Sequence, residues 1–434
     1  MMKLQKWIAA ALALAMLFAL AACGAKVPGD QAQQPDSESS RADEAKDSVV
    51  TLAAPGKPGG AAADYSDDTL NRFVAKSLPV IMSRLDGENR VYSPANICMA
   101  LGMLAEITDG NTRAQILELL GEDDLDALRS DIGALWAACS REDEYLTVLP
   151  ASSVWLRDDF NYKSEVFRAL EEHSFASAFR GPMGSEAYDE ALHNWINEQT
   201  RHLLEEQANQ LHFDPQTVLA LVSTLYFKGS WSVPFSESAT TKDSFHAASG
   251  DREVDFMHRS DTTRVYYGEH FSAICLYMAD GAAMWILLPD EDSSLDALVS
   301  DPEAAAFLAD GYAWENAKNA LVRLSLPRFD VDSDLSLSDT LKALGVTDVF
   351  DPNVSDFTPV TDEVPLFVSQ AIHAARVKID EKGCEAAAFT YFAVAAGAPQ
   401  EEPEIIDFTV DRPFLFAVKG PQGEILFLGA VNEI

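Results

Sequence analysis

Lys378-Ile379-Asp380-Glu381-Lys382-Gly383-Cys384-Glu385-Ala386-Ala387-Ala388, continued by Phe389-Thr390-Tyr391-Phe392-Ala393-Val394, is the stretch on which the fold turns. From Cys384 to Val394 the residues are small, then aromatic, with no Pro and no Gly. Such a segment serves as an exposed loop, yet nothing in it prevents pairing as a strand. Small residues at Cys384, Ala386 and Ala388 put little bulk on one face, so alternate side chains can slide beneath a helix layer as a strand inserts. Gly383 supplies a backbone pivot just before them.

Beyond this stretch, Ala395-Ala396-Gly397-Ala398-Pro399 is short in side chain and accessible, and Gln400–Glu404 is polar. Taken alone, the region reads better as an edge strand followed by an acidic loop. The flanking sequence decides otherwise.

Across the 434 residues, 47% are hydrophobic and 23% charged, ample for a packed core. The formal net charge of -37 argues against nucleic acid, since phosphate binding needs clustered Lys and Arg. The same scatter of basic residues argues against a polysaccharide-binding patch, and the acidity reads as a solubility feature of an extracellular surface. At the N-terminus, Lys3 and Lys6 precede an apolar run from Trp7 to Ala22, closed by Leu20-Ala21-Ala22-Cys23. This is a signal peptide over residues 1–22. Its end resembles the bacterial lipobox, which implies acylation of Cys23 and attachment to the outer face of a bacterial membrane. Two or three acyl chains anchor a protein firmly, whereas one binds marginally. Residues 24–64 lack aromatics and are rich in Ala, Gly, Pro, Ser, Asp and Gln, so residues 23–64 are expected to form a flexible, lipid-anchored tether. A single folded domain is expected over 65–434. Cys98, Cys139, Cys275 and Cys384 show no metal-ligand or paired spacing, and nothing requires a disulfide.

Leu70, Phe73, Val74, Leu78, Ile81, Met82 and Leu85 recur at helical steps. Ser93-Pro94 starts a second helix, with a capping hydroxyl and proline in the first turn. A third begins at Asn111 or Thr112 and stops before Gly121, and a fourth surrounds Leu192, Trp195 and Ile196. Strands are expected over Val218–Phe227, covered on both faces, and over Ala283–Leu288 and Leu321–Leu326. Phe414–Val418 and Ile425–Val431 read as a hairpin. Helices first and strands later favour an α+β fold. No catalytic motif of hydrolases, metalloproteases or nucleotide-binding enzymes is present. His193, His202 and His212 fall at irregular spacing and read as surface residues, and no cofactor or metal is called for.

Leu225-Tyr226-Phe227-Lys228-Gly229-Ser230-Trp231, running on to Pro234-Phe235, resembles the strand-and-breach motif of the serpins. Asp411-Arg412-Pro413-Phe414-Leu415-Phe416 resembles that family's C-terminal signature, and Lys378 to Ala388 its hinge. Tyr92-Ser93-Pro94, Ala100–Thr108 and Gly110-Asn111-Thr112 are similar to its early helices. The motifs run in order across residues 65–434. The resemblance implies a serpin fold, with N-terminal helices on a large main sheet, smaller sheets and an exposed reactive loop. It also implies a non-enzymatic inhibitor that traps a serine-type peptidase.

By the same resemblance, Trp231 belongs at the breach, and Glu381 pairs with Arg328 as a gate. Glu381, Gly383, Cys384, Glu385, Ala386, Ala387 and Ala388 form the hinge. Ser93, Asn96, Ser223 and His373 occupy the shutter, where Asn96 and Ser223 exchange the family's usual serine and asparagine. Cys384 stands where threonine or serine is usual, and Phe389 where a small residue is. Counting forward from Glu381 places the cleaved bond at Gly397-Ala398; counting back from Pro413 places it near Glu402. The window Ala395, Ala396, Gly397 and Ala398 suits elastase-like or subtilisin-like peptidases, a cysteine peptidase being a further possible target. Pro399 and Pro403 make later bonds poorer substrates. A monomer is the default. The rival reading is a non-inhibitory binding protein of the same fold; an unrecognised lipoprotein enzyme is a third.

Overall fold

A computed structural model of the chain describes residues 49–54, 65–83, 85–363, 365–368, 371–384 and 404–434. Six longer helices are taken in chain order: α1 (Asp68–Ile81), α2 (Pro94–Glu106), α3 (Gly110–Leu120), α4 (Leu125–Cys139), α5 (Ser164–His173) and α6 (Glu186–Thr200). In α1, Leu70, Phe73, Val74, Leu78 and Ile81 all face inward, as the periodicity dictates. The Ser93 hydroxyl caps α2 by accepting from Asn96 N at 3.1 Å, and Pro94 follows at its start. All of α2 except Ala100 is buried, so this helix lies in the core. Helix α3 begins at Gly110, earlier than expected, because Asp109 takes the capping role; Gly121, at φ 76°, ends it.

The early strands are β1 (Val50–Ala53), β2 (Arg90–Tyr92), β3 (Arg141–Glu142), β4 (Leu146–Arg157), β5 (Ala176–Gly181) and β6 (Leu219–Ser230). They are followed by β7 (Thr241–Ala247), β8 (Gly250–Tyr267), β9 (Phe271–Tyr277), β10 (Ala283–Pro289), β11 (Ala317–Pro327) and β12 (Phe329–Ser336). Last come β13 (Ile372–Ile379), β14 (Gly383–Cys384), β15 (Ile405–Thr409), β16 (Phe414–Lys419) and β17 (Ile425–Val431). The main sheet runs β1-β5-β4-β6-β14-β13-β12, with β3 beside β4. A second, nine-stranded sheet runs β15-β11-β8-β9-β10-β16-β17-β2. The sheets expected as smaller units join because the long β8 pairs in turn with β7, β11 and β9. The terminal hairpin pairs Phe414 with Val431 and is wholly buried.

Two expectations change. Strands β2 to β5 lie among the helices, so the order is not helices first. The tether over 23–64 is also too long: Val50–Ala53 pairs antiparallel with β5 at the edge of the main sheet. Val49-Val50-Thr51-Leu52 is a short β-branched and apolar run, and pairing with an open strand edge overrides the surrounding composition.

Candidate functional site

The top of the main sheet is built around a tight turn. After β13, Lys382 N and Gly383 N donate to Asp380 Oδ1 at 2.8 and 3.3 Å, and Asp380 N donates to Gly383 O at 3.0 Å. Gly383 and Cys384 then pair with Ser230 and Gly229 of β6, and Cys384 also with Ile379 of β13. This corrects the expectation that Cys384 begins an exposed loop: it is 4% exposed and already lies between the two strands. Gly383 has a second role beside pivoting. Its φ is +151°, and an added Cβ would fall 2.1 Å from Gly229 O, so only glycine permits this close pairing.

Trp231 fastens the turn. It is fully buried, its indole N–H donates to Asp380 O at 2.8 Å, and its backbone N–H donates to Lys382 O at 2.9 Å. Phe235 packs edge-on against it and donates its backbone N–H to Glu381 O. Arg328 Nε lies 2.9 Å from both Glu381 carboxylate oxygens, with a further short bond from Nη2, and Thr240 Oγ1 donates to Glu381 Oε1 at 2.5 Å. The expected pairing of Glu381 with Arg328 is present, and Glu381 is only 4% exposed. Burial pushes its carboxyl up, and the bonds from Arg328 and Thr240 outweigh that and hold it below the usual range. Thr240 and Asp380 gave no signal in the sequence; folding alone brings them here.

Lower in the same sheet, His373 Nε2 accepts from Ser93 N at 2.9 Å. Asn96 Nδ2 donates to Ser223 Oγ at 2.6 Å, and Ser223 Oγ lies 3.2 Å from Ser152 Oγ. All four expected members are thus brought together, and Ser152 joins them because the β4–β6 register sets it opposite Ser223. Burial lowers the His373 pKa to about 4, keeping the ring neutral and its Nε2 free to accept. We expect Asn96→Ala and Ser223→Ala to couple. Measured by denaturant unfolding, the double variant should lose less than the sum of the singles by about 0.5 kcal/mol or more; additive losses would remove the shared network.

Between these two clusters the described strands of the sheet do not pair directly. Among the described residues, β6 pairs only with β4 and β14, and β13 only with β12 and β14. Two cavities flank the opening and share Leu219, Leu221 and Ser223: one of about 110 Å³ reaches Leu192 and Ile196 of α6, the other, of about 70 Å³, reaches Asn96 and His373. This opening explains why Ala220 to Ser223 are only partly buried, although β6 was expected to be covered on both faces.

Glu385, Ala386, Ala387, Ala388, Ala395, Ala396, Gly397, Ala398 and Cys23 lie outside the described residues. Among those described, no His, Cys, Asp and Glu group could hold a metal ion, and no helix is long and apolar enough to cross a membrane. Cys98, Cys139, Cys275 and Cys384 are buried and not joined by disulfides. His212 and His202 are exposed, whereas His193 is half-buried with Nε2 2.6 Å from Leu211 O.

A family model described as serpin (serine protease inhibitor) matches residues 68–434. Plasminogen activator inhibitor 1 of Neovison vison is 29% identical over 404 residues, covering 86% of this chain and 96% of its own length. The thermophilic serpin tengpin, solved in the native state, aligns with a TM-score of 0.75 at 23% identity, covering 88% of this chain and 97% of its own. Thyroxine-binding globulin, solved in complex with thyroxine, aligns with a TM-score of 0.73 at 21% identity, covering 85% and 99%.

Proposed function

The chain belongs to the serpin family, and on that basis we propose that it inhibits serine-type endopeptidases as a suicide substrate. As a serpin it is not an enzyme, and its family includes the protease inhibitor plasminogen activator inhibitor 1. The observation that carries the finer reading is that, among the described residues, β6 and β13 do not pair with each other and the two-residue β14, Gly383 and Cys384, is seated between them.

A target peptidase docks on the loop at Ala395–Ala398. Its serine hydroxyl attacks the carbonyl carbon of Gly397, and the bond to the Ala398 nitrogen breaks. That nitrogen leaves with a proton as a free amine, while Gly397 remains esterified to the enzyme. The freed segment then continues β14 downward. With Cys384 buried, period-two alternation sends Ala386 and Ala388 to the same face and Glu385, Ala387 and Phe389 to the other. Asp380, Glu381, Trp231 and Arg328 hold the entrance, and the Ser93, Asn96, Ser223 and His373 cluster parts as the strand passes. Insertion carries the acylated peptidase away before water can release it. Small residues at the cleaved bond favour an elastase-like or subtilisin-like target, and the protein acts as a monomer. Cys23 carries the lipid that holds it outside a bacterial membrane.

Mixing the protein with elastase or subtilisin and running a denaturing gel tests this. A covalent band at the summed mass is expected. Cleavage at 390–403 with no such band would leave a non-inhibitory binding protein of serpin fold, the role to which the thyroxine complex lends its precedent.

A further inference from the structure

The cavity of about 110 Å³ is bounded by Leu192 and Ile196 of α6, by Phe213, and by Leu221 and Thr224 of β6. Two buried polar atoms on its wall have no hydrogen-bond partner among the described residues. One is Oγ1 of Thr224, a residue 4% exposed; the other is Oε1 of Gln207, whose amide nitrogen is committed to Asp332 Oδ2 at 3.1 Å. Unpaired buried polar atoms are costly, and a native site that keeps them is short of an occupant able to hydrogen-bond. A ligand hydroxyl matches both chemistries, accepting from the Thr224 hydroxyl and donating its one proton to Gln207 Oε1.

Size and charge narrow the occupant further. An apolar cavity of about 150 Å³ holds benzene, so this smaller one, open on one side, takes at most a single ring or a short chain, with part of it outside. No Lys or Arg lines it, and its titratable neighbours are His212 and Asp214, which leaves an anion without compensation for lost hydration. We propose that this cavity is a binding site for a neutral, apolar molecule bearing one hydroxyl, of the phenol or benzyl alcohol class. Because Leu219, Leu221, Ser223 and Ala374 line it, the occupant stands where the inserting strand must pass. That second consequence, slower insertion, rests on the inhibitory reading above; the binding itself does not.

The full chain is titrated with phenol and with toluene by ligand-observed NMR. Phenol is expected to bind saturably and more tightly than toluene. Thr224→Val should weaken phenol about tenfold, the loss of one hydrogen bond, and leave toluene unchanged. Ala208→Leu, which fills the wall at a residue 1% exposed, should abolish both. Absence of saturable phenol binding, or equal weakening of both probes by Thr224→Val, overturns the site. With elastase added, saturating phenol should shift the gel from covalent complex toward cleaved inhibitor, while elastase turnover of a small peptide stays constant. An unchanged ratio with phenol bound overturns the coupling. If no complex forms even without phenol, the inhibitory reading fails while the titrations still decide the site.

Discussion

Nicking the loop between residues 390 and 403 raises the melting temperature by roughly 20 °C or more. Among the described residues, β14 is the strand that pairs with the β6 edge facing β13 and with the facing edge of β13, at Gly383 and Cys384 alone. A strand of about ten residues entering there makes ladder bonds on both sides, each worth about 1 kcal/mol net. It also fills the two flanking cavities, at about 25 cal/mol per Å² of apolar surface covered. The total reaches tens of kcal/mol, above the ~5–15 kcal/mol that ordinarily separates folded from unfolded states. The intact form is therefore held by a kinetic barrier, not by being the most stable arrangement. Calorimetry on intact protein and on protein nicked by a trace of subtilisin measures the shift. Equal melting temperatures would mean that the opening stores no driving force.

Two buried groups tilt stability in opposite directions with pH. Glu424, in the turn between β16 and β17, is fully buried; Oε2 accepts from Gln422 N at 2.9 Å, and Oε1 has no partner among the described residues. Lys419 is buried nearby, but its Nζ donates to Ala309 O. Burial raises the Glu424 pKa from 4.5 to about 7. A folded-state pKa above the unfolded one gives stability that is complete below pH 4.5 and lost as pH rises through 7, about 3 kcal/mol in all.

His373 does the reverse. Its pKa falls from 6.5 to about 4, so the unfolded chain binds the proton first. Stability from its neutral ring is complete above pH 6.5 and lost as pH falls through 4, again about 3 kcal/mol. Denaturant unfolding from pH 4 to 8 should show wild-type stability falling at both ends. Glu424→Gln is expected to flatten the decline above pH 5, and His373→Gln the decline below pH 6.5. Persistence of the alkaline decline in Glu424→Gln would place its origin elsewhere.

The framework of the fold was legible where one physical signal dominated. Apolar spacing located α1, the Ser93-Pro94 pair located the start of α2, and uninterrupted hydrophobic runs located β6, β10 and the β16–β17 hairpin. The pairings Glu381–Arg328 and Asn96–Ser223 came from likeness to a family, because nothing in local sequence links residues 53 or 127 positions apart. Ser152 and Thr240 escaped for the same reason: each is an ordinary polar residue until strand register sets it beside its partner. Glu424 escaped because it sits among turn residues, where a carboxylate is normally solvated. Cys384 was read as loop because its pairing needs Gly229 and Gly383 to approach more closely than two side-chain-bearing strands allow.

The edge strand β1 would limit how far the molecule reaches from the lipid proposed on Cys23. With lipid on Cys23, a leash over residues 24–64 would allow a maximum height of about 140 Å, whereas residues 24–49 allow about 90 Å. With that anchor in place, docking of Val50–Ala53 on β5 would shorten the reach by roughly a third. A tug through such a lipid would be delivered first to the rim of the main sheet and not to α1.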